Sequence, residues 1–231
     1  AGTMKSSLVF NIFYNEAMMG KTGLYISLEQ SSTSLINHMI NLDYNLSKIN
    51  LVILSDISKL QATLSKIEDL KGKGAVIMVD IGAIRKQVSE TKTDENKDWL
   101  NVIMNIIKKI KTAGELDIFC LDSLSALYVL SRFEEPRSKL FFIFEFLRDQ
   151  HITSFLISEM PLNKEKYSEY EVEDYLADGI ICLDLAHHQR KVVREISIIK
   201  MRGTNCNNDI FSLDFKDGKF HALYGGKIPL V

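Results

Sequence analysis

Holding and splitting a nucleoside triphosphate takes four kinds of group. A lysine among backbone N–H groups neutralises the phosphates, and a hydroxyl holds Mg2+. A carboxylate at the end of an apolar strand orients that metal through water, and a base positions the attacking water. Lys5, Ser6, Asp122 and Glu29 supply these types in that order. Lys5-Ser6 closes the stretch Ala1-Gly2-Thr3-Met4-Lys5-Ser6-Ser7, which fits the tail of the phosphate-loop pattern G-x-x-x-x-G-K-[ST]. Met4 falls where the second glycine belongs, and the first would lie two positions before Ala1. Singly, each residue has a plainer reading: an exposed lysine in a first helical turn, an ordinary serine cap, an Asp122-Ser123 helix cap, a solvated strand end at Glu29. Their joint occurrence favours the nucleotide site.

Such residues need a scaffold that gathers strand ends. From Lys5 the pattern is helical with a broad apolar face, including Val9, Phe10 and Phe13, and it stops at Gly20 and Gly23. Residues 24–28 read as a strand ending in Glu29-Gln30, followed by a helix capped within 31–33 and a strand at 51–54. Helices are expected at 58–69, 99–111 and 137–150, and strands at 75–80, 118–122 and 153–158. The apolar run 140–147 reads as a buried helix, and the polar stretch 89–98 as a mobile loop. A tyrosine-bearing loop spans 163–173, with Tyr167, Tyr170 and Tyr175 as anchors. Strands at 179–184 and 192–201 flank a polar turn at 187–190, and 210–215 with 220–223 form a closing hairpin. Helices alternating with apolar strands, then strands alone, predict an α/β fold. It is a mainly parallel sheet between helices, with antiparallel strands added at one edge, in a single domain over 1–231. Ligands of such sheets bind at the carboxyl ends of strands, which singles out Glu29-Gln30, Asp80, Asp122-Ser123 and Ser158-Glu159.

Composition removes several classes. With 28 Lys plus Arg against 30 Asp plus Glu, the net charge is -2, which argues against a nucleic-acid surface. Lys108-Lys109 and Arg190-Lys191 read as solvated faces. The three cysteines, Cys120, Cys182 and Cys206, lie far apart with no C-x-x-C, so neither a zinc site nor a disulfide framework is expected, and a reducing cytoplasm fits. No apolar run is long enough to span a bilayer, and no leader pattern is present. His187-His188 reads as an exposed turn rather than a metal site.

The order Lys5-Ser6, Tyr25-Ile-Ser-Leu-Glu-Gln30, Ile118-Phe-Cys-Leu-Asp-Ser123 and Phe155-Leu-Ile-Ser-Glu159 resembles the RecA superfamily of P-loop NTPases, specifically its KaiC-like ATPases. Asp174-Tyr-Leu-Ala-Asp-Gly-Ile180, followed by Ile199-Lys-Met-Arg-Gly-Thr204, resembles that family's ADG-hydrophobic strand and K-x-R-G-T segment. The likeness covers nearly the whole chain and implies a further strand and the start of the phosphate loop upstream.

The resemblance implies that Gly2, Thr3, Met4, Lys5, Ser6 and Ser7 form the surviving Walker A segment around ATP, with Ser6 on Mg2+. Asp122 would be the Walker B carboxylate, also serving the metal, and Glu29 the base. Lys200 and Arg202 would reach a neighbouring subunit's γ-phosphate, so hydrolysis would require a homo-oligomer, by analogy a hexameric ring. Three positions depart from the family pattern: Met4 for glycine, Gln30 for a second acid, and Cys206 where some relatives carry histidine. They leave two other readings in view. One is an ATP-sensing module that hydrolyses little and switches a protein partner; the other is a RecA-like DNA-binding recombination accessory, which the charge balance disfavours.

Overall fold

A computed structural model describes residues 2–90, 98–131, 135–160, 167–170, 172–188 and 191–224, with only the backbone of 86–90 and His188. The chain divides into two compact units, Ile12–Ser158, and Ala1–Asn11 with Glu159–Val231. A first helix, α1 (Lys5–Met18), contributes residues to both.

In Ile12–Ser158 the strands are β1 (Thr22–Ser27), β2 (Asn50–Leu54), β3 (Ala75–Asp80), β4 (Ile118–Asp122) and β5 (Thr153–Ile157). They pair in the order β2-β3-β1-β4-β5, all parallel. Every residue of β1, β3 and β4 is buried, which is why these strands read as unbroken apolar runs rather than as alternations. The helices between them are α2 (Ser32–Asn41), α3 (Leu60–Asp69), α4 (Ile81–Glu90), α5 (Trp99–Ala113), α6 (Leu124–Ser131) and α7 (Pro136–Asp149). On α5, Trp99, Ile103, Ile106, Ile107 and Ile110 form the expected inward stripe.

The strand bounds of β3 and β4 match the sequence reading. One helix, α4, lies where the sequence suggested none, and α6 follows Asp122-Ser123, the pair whose plainer reading is a helix cap. The helix expected from Ser58 begins instead with a 3-10 turn, Ile57–Lys59, and becomes α-helical at Leu60. Gly23, read as a helix stop, lies inside β1. The phenylalanine-rich α7 is not buried all round: Leu140, Ile143 and Leu147 face inward, while Phe141 and Phe142 are exposed. The stretch expected as a mobile loop lies mostly outside the described residues.

α1 packs on the sheet through Phe13, whose ring meets that of Tyr25 edge-on at 5.7 Å and 76°. The turn before β3 closes tightly on the end of the same helix. Gly74 has φ +69°, and a Cβ there would stand 1.9 Å from the carbonyl oxygen of Ala17.

In the other unit, α8 (Val172–Leu176) precedes β6 (Gly179–His188), β7 (Lys191–Met201), β8 (Phe211–Lys216) and β9 (Lys219–Leu223). These strands form an antiparallel sheet of their own, in the order β6-β7-β8-β9. The antiparallel C-terminal strands are those the sequence predicted, and among the described residues they pair with one another as a separate sheet. β6 and β7 pair along their whole length, with a bulge at Ile180/Ile181. They run further than expected, β6 to His188 and β7 from Lys191, and the rest of the polar turn read at 187–190 lies outside the described residues. Of the three tyrosines expected as anchors, Tyr175 and Tyr167 are exposed, and Tyr170 is partly covered. No helix among the described residues is long and apolar enough to cross a membrane.

Candidate functional site

Parallel register brings three polar strand ends level. Ser27 of β1 is opposite Asp80 on one side and Asp122 on the other. The three have different tasks. Asp80 is buried, and both its oxygens are taken: Oδ2 accepts from Ser32 N–H and Oδ1 from Ala83 N–H, each at 2.8 Å. It therefore fastens the starts of α2 and α4, where unpaired N–H groups need acceptors. Ser27 accepts from Gln30 N–H at 3.2 Å and donates to Gln30 O at 2.7 Å, closing the turn that carries Glu29.

Asp122 is bound differently. It is 5% exposed, and its Oδ2 accepts from the hydroxyl of Tyr25 at 2.5 Å. No donor among the described residues reaches its Oδ1. The next residue, Ser123, is joined by a cis peptide. Its hydroxyl accepts from Ala126 N–H at 3.1 Å, capping α6, and donates to Glu29 Oε1. Glu29 is itself exposed. One rim therefore holds a buried carboxylate with one open oxygen and an exposed carboxylate held by a neighbouring hydroxyl. At the end of β5, Ser158 Oγ is buried without a hydrogen-bond partner among the described residues.

Directly beneath, Cys120 is fully enclosed. Burial pushes its thiol well above the ordinary range and the Asp122 carboxylate adds to this, against a lowering hydrogen bond from Tyr25. Only the thiolate is a nucleophile, so this cysteine is inert in the native state. Iodoacetamide at neutral pH, read by peptide mass spectrometry, should leave Cys120 unmodified until denaturant is added.

The segment Gly2–Ser7 belongs to the other unit. Gly2 has φ +83° and Met4 φ +65°. Met4 thus keeps the left-handed backbone that glycine adopts freely, at a strain of about 1 kcal/mol for a side-chain-bearing residue. Its carbonyl accepts from Leu8 N–H at 2.9 Å, and α1 begins at Lys5.

Lys200 and Arg202 lie at the end of β7, and neither extends freely. Lys200 Nζ donates to Asp174 O at 2.9 Å and Tyr175 O at 3.3 Å. Arg202 Nη2 donates to Tyr175 O at 2.6 Å, and its Nη1 meets Asp178 Oδ1 at 3.1 Å. Both cations thus sit on carbonyls at the C-terminal end of α8, where the helix dipole favours positive charge.

Among the described residues no group of three His, Cys, Asp or Glu side chains could cage a metal. A lone carboxylate with one open oxygen suits Mg2+, which keeps several waters and takes other ligands from phosphate.

The sequence model of the family described as "ATPase: KaiC" matches residues 57–220, well over half of the chain. The chain belongs to the KaiC ATPase family. That membership carries nucleotide binding as the shared property. The matched span includes Asp122, Ser123, Lys200 and Arg202; Gly2–Ser7 and Glu29 lie before it. Among relatives of this KaiC-family chain, a UPF0273 protein of Thermotoga maritima is 22% identical over 88% of this chain and 76% of its own. A UPF0273 protein of Pyrobaculum aerophilum is 21% identical over 100% of this chain and 75% of its own, an alignment that reaches the first residues. The circadian clock protein KaiC3 of Synechocystis is 34% identical over 86 residues, 37% of this chain and 17% of that protein. The crystal structure of a KaiC-like protein from Pyrococcus horikoshii superposes with a TM-score of 0.67 at 20% identity, covering 96% of this chain and 85% of that one. This likeness establishes the RecA-like fold.

Sequence reasoning missed Tyr25 as the partner of Asp122 and Ser123 as the holder of Glu29. A signal for the first was present. A tyrosine inside an apolar strand must find an acceptor for its hydroxyl, and the only acidic residue of the neighbouring run 118–122 is Asp122.

Proposed function

We propose that this KaiC-family chain binds ATP with Mg2+ and hydrolyses it at sites completed by a second copy of itself. The 1–231 span acts as one ATPase domain. In this reading Gly2, Thr3, Met4, Lys5, Ser6 and Ser7 wrap the phosphates, with Lys5 neutralising their charge. Ser6 and Asp122 hold Mg2+, Ser6 by its hydroxyl and Asp122 through water. Glu29 takes the proton of the attacking water. Lys200 and Arg202 leave α8 to meet a neighbour's γ-phosphate, which makes turnover depend on a homo-oligomeric ring, by analogy a hexamer, in the cytoplasm. Mg2+, when bound, supplies charge neutralisation between the β- and γ-phosphates. The observation that carries the reading is the rim itself, where an exposed Glu29 is tied through Ser123 to the strand end bearing Asp122.

Steady-state phosphate release by the full-length protein tests it. Asp122→Ala should lower turnover by about two orders of magnitude. Release equal to that of the unaltered protein would remove the hydrolysis claim.

A second reading, an ATP-sensing module with little turnover that signals to a protein partner, draws on one observation. The two cations proposed to act on a neighbour are both engaged on α8 of their own subunit. Tight ATP binding with no release above background at any protein concentration would favour it.

A further inference from the structure

Tyr25 is fully buried in the central strand β1, opposite Cys120 in register, with the Phe13 ring against its edge. In this packed setting its hydroxyl donates to Asp122 Oδ2 at 2.5 Å. A carboxylate held at one oxygen by a buried donor is restrained from turning, and that hydrogen bond competes with chelation of a cation through both oxygens. We propose that Tyr25 is a positioning residue for the divalent cation: it presents Asp122 Oδ1 alone, towards a metal-bound water, and so biases the site to Mg2+ over Ca2+. This rests on the reading of Asp122 as the metal-orienting carboxylate.

The chemistry follows from how the two ions bind. Mg2+ dehydrates reluctantly and holds an octahedron of waters and phosphate oxygens, so it needs an outer acceptor in one fixed direction. Ca2+ takes carboxylates directly, often through both oxygens, and tolerates loose geometry. Removing the phenol hydroxyl frees Oδ2, lets the carboxylate rotate, and opens the chelating mode that Ca2+ uses. Phenylalanine would preserve the ring and its contact with Phe13, so the packing of β1 is retained.

The test measures binding of a fluorescent ATP analogue to the full-length protein while Mg2+ or Ca2+ is titrated, and again in EDTA. Tyr25→Phe should raise the Mg2+ midpoint about tenfold, shift the Ca2+ midpoint less or downward, and leave affinity in EDTA unchanged. In an Asp122→Asn background the same substitution should have no further effect. An unchanged Mg2+ midpoint, or an equal shift in the Asp122→Asn background, overturns the proposal. If Asp122→Asn alone leaves the Mg2+ midpoint unmoved, the metal role of Asp122 fails and this proposal falls with it, a result distinct from failure of Tyr25 alone. Should Tyr25→Phe not fold, p-aminophenylalanine at position 25 keeps a donor at the ring's end and must retain the Mg2+ midpoint; a raised midpoint there is equally fatal.

Discussion

Glu29→Gln should lower the rate of phosphate release by about 10²- to 10⁴-fold, the usual weight of a positioned general base, while nucleotide affinity stays within about twofold. The exchange keeps the size of the side chain and its capacity to accept from Ser123, since the amide oxygen can replace Oε1. What it removes is the capacity to take a proton from water. Gln30 offers no substitute, because an amide is not a base and its backbone is already tied to Ser27. A paired loss of affinity and turnover would show instead that Glu29 serves the loop's structure. Undiminished turnover would move the base elsewhere.

Gly74→Ala should destabilise the protein by roughly 3–5 kcal/mol, among the larger effects of any single substitution, and lower Tm by about 10 °C. Two costs combine. The position has φ +69°, where a side chain is strained, and the added carbon would stand 1.9 Å from Ala17 O, 2.9 Å from Gly20 Cα and 3.0 Å from Ala17 C. All three obstacles are backbone, so none can swing aside, and relief requires α1 to move off the turn. Gly72→Ala separates the terms. It has φ +71° with nothing within 4 Å of the added carbon, so it should cost only the strain, about 1 kcal/mol. Thermal melts of the two variants check the difference; equal losses would mean that the helix end yields more readily than its geometry indicates.

Some of this was written plainly in the chain. The runs 75–80 and 118–122 are apolar until a terminal aspartate, and both strands have those bounds. Burial on both faces leaves such a strand no polar residue until it emerges. The helix α4 was not legible, because it starts directly after Asp80 with no glycine or proline to mark the change from strand to helix. On α7, composition suggested burial on every side, but only the i, i+3, i+7 positions Leu140, Ile143 and Leu147 point inward. That the last four strands form their own sheet depends on which edges meet, and strand composition does not encode pairing partners. Within the site, residue types were legible and their bonds were not. Asp80 and Asp122 end similar strands, yet one is consumed by two helix starts and the other keeps an oxygen open. Lys200 and Arg202 were readable as cations near a strand end, but their hold on α8 arises from a turn of chain that only the fold specifies.

The short arc bearing Glu29 is pinned at several points. Leu28 N–H binds Asp122 O at 2.7 Å, Ser27 and Gln30 close on each other, and Ser32 N–H is held by Asp80. A carboxylate on so rigid a mount cannot be brought to water by opening a loop, which would take microseconds to milliseconds. It can only rotate about its own side-chain bonds, leaving or rejoining Ser123 in picoseconds to nanoseconds. If Glu29 takes the proton as proposed, its own placement is fast, and the pace of turnover would be set elsewhere in the protein.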